Sequence, residues 1–120
     1  MKDGEMMEEL VEKACEYSVD FMAIHSGIEV LVRKNSAAWI HIYGSAGSGK
    51  TAVALLISKA FPRYVTIVDD ADPLQSWPKG ITLTVSEKKL ELPESSLPCI
   101  QFCVENILPH DIIKAIYLTA

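Results

Sequence analysis

Arginine is almost missing from this chain. Of 120 residues only Arg33 and Arg63 carry a guanidinium, and lysine supplies the rest of eleven basic side chains. Sixteen acids outweigh them, for a net charge of −5. A non-specific grip on a nucleic-acid backbone needs a broad basic face, which this balance does not favour. Cysteine is also sparse. Cys15, Cys99 and Cys103 are odd in number and lack metal-ligand spacing, which excludes a disulfide-stapled miniprotein. Cys99 and Cys103 sit in an apolar run, where a free thiol acts as a small hydrophobe. Uninterrupted apolar stretches stay below about ten residues, against the roughly twenty that span a bilayer. The acidic, polar start at 1–9 has no signal-peptide pattern. We therefore expect a cytoplasmic protein without a membrane segment.

What is present is an ordinary globular mix, 49% apolar and 22% charged. There are no repeats, low-complexity tracts or linkers, so one domain is expected over 1–120, with an N-terminal helix at 1–19 and a core at 20–120. Met6, Met7, Leu10, Val11, Ala14, Cys15, Ser18 and Val19 recur at three- and four-residue steps, the pattern of an amphipathic helix. Residues 20–25 read as a break, after which Ser26 caps a second helix over 26–34, ended by Asn35 and Ser36. Strands are expected at 38–43, 64–68, 81–85 and 100–104, with a short extension at 90–92. Helices are expected at 50–61 and from 109 or 110 to 118. Strands alternating with helices imply an α/β domain, a small three-layer fold with a mostly parallel sheet of about four strands.

Gly44-Ser45-Ala46-Gly47-Ser48-Gly49-Lys50-Thr51 satisfies G-x-x-x-x-G-K-[ST] in full. Each residue type has a reason. Gly44 lets the chain turn sharply off a strand, while Gly47 and Gly49 let backbone N–H groups face a phosphate with no Cβ between. The helix that follows aims its positive end at the same anion. Lys50 is positioned to reach the β- and γ-phosphates as a catalytic group, and the Thr51 hydroxyl to ligate Mg²⁺. Val65-Thr66-Ile67-Val68-Asp69-Asp70 has the look of a Walker B segment. Asp69 would hold the metal and Asp70 would orient the attacking water. An Asp-rich turn after a strand is the plain alternative.

The order of these segments resembles the DnaA/Hda replication-initiator clade of AAA+ P-loop ATPases. Asp20-Phe21 is similar to an acidic–aromatic pair that touches the adenine there, and Val68-Asp69-Asp70-Ala71-Asp72 to that clade's Walker B. Ile81-Thr82-Leu83-Thr84 resembles its sensor 1 strand, which would make Thr84 catalytic, and 97–118 resembles its last strand and closing helix. The resemblance implies an ATP or ADP site with Mg²⁺. The departures are as informative. Two residues, Pro62 and Arg63, separate the phosphate-loop helix from the next strand, where the clade has a further strand and helix. Residues 92–98 contain no arginine to act as a finger. With Ala120 as the last residue, no helical lid with a sensor 2 arginine is expected, nor a DNA-binding domain.

Other conspicuous residues read plainly. Trp39 and Tyr43 pack the sheet, and His41 is a packed or edge histidine. His25 lies near the expected adenine pocket, where an imidazole can stack on a base. Trp77 covers a sheet edge or marks a partner surface. Together these point to a nucleotide-binding regulator of replication initiation with weak or no hydrolysis, dependent on an initiator partner or on self-association. The alternatives are a small P-loop enzyme, either a small-molecule kinase or a tRNA-threonylcarbamoylation-type ATPase, and a nucleotide-free interaction module.

Overall fold

The computed structural model describes residues 3–68, 79–94, 97–105 and 108–118. In chain order the elements are α1 (Asp3–Tyr17), α2 (Val19–Arg33), β1 (Ala38–Tyr43), α3 (Lys50–Ala60), β2 (Val65–Val68), β3 (Ile81–Ser86), β4 (Cys99–Cys103) and α4 (His110–Leu118). The strands form one parallel sheet in the order β2-β3-β1-β4. This agrees with the expected α/β class and strand count. None of the described helices is long and apolar enough to cross a membrane.

Helix α2 starts well before the expected position. Residues 20–25 are helical, and the cap is Ser18, whose hydroxyl accepts from the Phe21 N–H at 3.0 Å. Two physical signals set this start. Ser18 adopts extended dihedrals that free its side chain to bond the first turn. Phe21, Ile24 and Ile28 then fall on one buried stripe, so a break would strand Phe21 outside it. Ser26 is exposed mid-helix. The far end is as expected: Asn35 is left-handed, and the Asn35 and Ser36 N–H groups bond back to Val32 and Leu31.

Strand alternation divides the sheet into two unlike faces. Ile40 stands level with Leu83, which stands level with Ile67, and Ile42 with Val85 and Phe102. These apolar rows join the buried residues of all four helices in one core, including Leu10, Phe21, Ile24, Leu56, Ile112 and Ile116. The other face carries Thr66, Thr82, Thr84, His41, Gln101 and Ser86. Among the described residues all four helices contribute to the core on the Ile40 and Leu83 side of the sheet, while 69–78, the link between β2 and β3, lie outside the described residues. The expected 90–92 extension is irregular, and the Gln101 side chain takes both backbone groups of Leu90.

Candidate functional site

β1 is central, with β3 on one side and β4 on the other, and α3 carries the chain from β1 to β2 at the edge. The strand order thus reverses at β1, and ligands of open α/β sheets gather at the carboxyl ends of strands around such a point. Residues 44–49 leave β1 there and open α3. A Cβ on Gly44 would stand 2.6 Å from the Val104 carbonyl and 2.8 Å from Ser48 Oγ, so only glycine lets the loop start this close to the chain after β4. Gly47 and Gly49 have φ of +83° and +85°, in the left-handed region that side chains disfavour. Gly49 also stands at the N-cap of α3, where no side chain bonds the first turn and no acid lies in it. The N–H groups of that turn remain free for an anion.

Within the loop the Ser48 N–H donates to the Ser45 carbonyl at 3.1 Å, and Lys50 Nζ donates to the same carbonyl at 3.3 Å. Ser48 is 4% exposed, and its hydroxyl has no hydrogen-bond partner among the described residues. Two clefts flank the loop. One, of about 490 Å³, runs along 43–48, the Glu87, Lys88 and Lys89 segment after β3, and Cys103, Val104 and Glu105 at the end of β4 and just beyond it. The other, of about 610 Å³, holds Lys50 and Thr51 with Val68, Ser86 and Tyr117. Glu87 borders both.

The expected site residues are distributed as follows. Gly44, Ser45, Ala46, Gly47 and Ser48 line the first cleft, and Lys50 and Thr51 the second. Val68, the last residue of β2, reaches the second cleft; Asp69, Asp70 and Trp77 lie outside the described residues. Asp20 accepts the Glu105 N–H at 2.7 Å, which brings it to the rim of the first cleft. Phe21 is separated from it, fully buried in the core. His25 is half-buried between the rings of Phe21 and Phe61, with centroids 5.8 and 5.2 Å away. Burial lowers its pKa, while the Glu29 carboxylate acts the other way.

Thr84 is fully buried, and its hydroxyl is engaged inside the sheet rather than at either cleft. Trp39 Nε1 donates to Thr84 Oγ1 at 2.9 Å, and Thr84 Oγ1 lies 2.7 Å from His41 Nδ1. On the far side of the ring, His41 Nε2 lies 2.8 Å from Ser86 Oγ, which donates to the Lys88 carbonyl at 2.6 Å. Donor logic orders the whole chain. A carbonyl only accepts, so Ser86 donates to it and accepts from His41 Nε2–H; Nδ1 is then the bare nitrogen and accepts from Thr84. That pattern belongs to the neutral imidazole, which burial favours by holding the His41 pKa below its ordinary 6.5, while hydrogen bonds to the Lys88 and Thr84 backbone act the other way.

The cysteines are free and partly buried. Burial pushes the Cys99 thiol up to about 11, so it stays protonated. Desolvation and the Glu105 and Asp20 carboxylates raise Cys103 as well, although it borders the first cleft. Lys88 and Lys89, which the sequence places in the loop after β3 without singling them out, also line the first cleft. In comparison with known proteins, no family model, no curated protein and no solved structure matches the chain.

Proposed function

We propose that this chain binds adenine nucleotides as a P-loop protein, an AAA+-like relative of the DnaA/Hda clade that regulates replication initiation through protein contacts. The observation that carries the reading is the position of the G-x-x-x-x-G-K-T loop. It joins the carboxyl end of the central strand to an uncapped helix N-terminus, at the reversal of strand order where phosphate ligands bind in open sheets. Adenine preference and the link to replication rest on the sequence resemblance alone. Hydrolysis is weak or nil on this reading, because 92–98, the stretch before β4, contains no arginine to act on the transferred phosphate.

Mg²⁺ fits this arrangement as a passenger of the nucleotide. Among the described residues no group of three His, Cys, Asp or Glu side chains could hold a metal unaided. Mg²⁺ needs none, since it keeps several waters and binds through substrate phosphates with one or two protein oxygens. The Thr51 hydroxyl, exposed in the second cleft, is one such oxygen. Asp69 is the other we assign.

Thermal melting with MgATP, MgADP and MgGTP tests the reading. A ligand at a hundred times its Kd adds about 2.7 kcal/mol, a rise of roughly ten degrees in a domain of this size. We expect that rise with ATP and ADP, little with GTP, and none in Lys50→Ala. No rise with any nucleotide would overturn the proposal and leave the loop as a structural turn.

A further inference from the structure

We infer that Lys88 and Lys89 are further phosphate-facing cations of this nucleotide site beside Lys50, supplied by the chain's own link between β3 and β4. The inference rests on the nucleotide-binding reading above and names the groups that recognise the terminal phosphate of a nucleoside triphosphate. Three observations lead to it. Both lysines are exposed and border the same cleft as Gly44 and Ser48. No ion pair engages either lysine among the described residues, whose pairs are Lys13 with Glu9 and Arg33 with Glu29. In that cleft, too, Ser48 is more than nine-tenths buried with an unpartnered hydroxyl, a group that costs stability unless a ligand or a rearrangement satisfies it.

The link is anchored at both ends. The Lys88 carbonyl is held by Ser86, itself fixed by His41, and both backbone groups of Leu90 are held by the Gln101 amide at 2.8 and 3.1 Å. Lys89 lies between two pinned peptides, so the pair is presented from a fixed backbone instead of a free loop. Charge gives the reason for cations here. Glu87 and Glu105 border the cleft, and Asp20 bonds at its rim. Carboxylates so close to a triphosphate repel it unless opposed. Neither arginine is placed to do so: Arg33 pairs with Glu29, and Arg63 borders a different cavity with Lys79 and Gly80. On this inference the site needs no arginine from a partner to distinguish ATP from ADP.

The experiment is calorimetric titration of MgATP and MgADP into the wild type, Lys50→Ala, the double variant Lys88→Ala/Lys89→Ala, and the double variant Lys88→Arg/Lys89→Arg. Both lysines are exposed, so the variants keep the fold, which circular dichroism verifies. A charged hydrogen bond to phosphate, discounted for exposure, is worth about tenfold in affinity. The alanine pair is expected to weaken ATP by about that factor and leave ADP nearly unchanged. The arginine pair is expected to retain the wild-type ratio, and raising the salt to shrink it. ATP and ADP affinities that stay at wild-type values in the alanine pair, or fall equally, would overturn the inference while Lys50→Ala still reports the site. A wild type that binds neither nucleotide would overturn both proposals.

Discussion

β1 has two parallel neighbours, and different forces hold them. Toward β3, Trp39, Thr84, His41 and Ser86 form a continuous chain of side-chain hydrogen bonds across the strand pair. Toward β4 the side-chain contacts across to β1 come from thiols, Cys99 with the His41 backbone and Cys103 with the Tyr43 side chain, which are weak hydrogen-bonding groups; Gln101 turns away to the link, and Ile100 at the edge is 49% exposed. Both pairs have backbone ladders of similar length. A backbone ladder in a parallel pair tolerates a two-residue slip without exchanging the faces. The polar chain does not, because every member needs its own partner. The β3 flank is thus specified atom by atom, and the β4 flank mainly by apolar pattern with weak thiol contacts. The glycine-rich loop leaves the strand that both flanks share.

The comparison can be broken most sharply at Thr84. Thr84→Val keeps the shape but leaves the Trp39 N–H and His41 Nδ1 buried and unpaired. Each such loss costs about 1–3 kcal/mol, so we expect about 3 kcal/mol of destabilisation in urea unfolding. A loss below about 1 kcal/mol would show that the β3 flank is no better specified than its counterpart.

Acid attacks the same flank. The folded chain holds His41 neutral below 6.5, whereas the unfolded chain protonates near that value. The unfolded state therefore binds more protons as pH falls past 6.5, and stability declines through that window. The urea midpoint should be lower at pH 5.5 than at pH 7.5. His25 is shifted in the same direction but is only half-buried and outside the polar chain. His25→Gln should leave most of the decline in place, and its disappearance would move the pH response to the other histidine. The smallest effect belongs to the β4 flank. Ile100→Thr, a swap at a half-exposed edge position, should alter stability by about 0.5 kcal/mol or less.

Residues with local signals were readable in advance. The strands at 38–43 and 81–85, the turn at Asn35 and the glycine loop have their propensity, dihedral or spacing written into neighbouring positions. The start of α2 was not, because Ser18 and Ser26 are both competent caps and only the burial of Phe21 against distant strands selects the first. Site residues followed the same division. The loop from Gly44 to Thr51 is contiguous and legible. Thr84 stands on a strand whose alternation was clear, yet its pairing with Trp39 and His41 exists only through the register of two strands far apart in sequence. Lys88 and Lys89 lie in the loop expected after β3, and only the sheet brings them beside the glycine-rich loop.

The directed hydrogen-bond chain has a mechanical consequence. It begins at an indole, which can only donate, and ends at a carbonyl, which can only accept. A proton relay must be able to reverse its polarity after each transfer, and a chain closed at both ends in this way has one orientation. It therefore serves as a strut between the middle of β1 and the peptide that carries Lys88. A displacement of that peptide by a bound anion would be felt at the Trp39 ring as a change of position, with no proton passing between them.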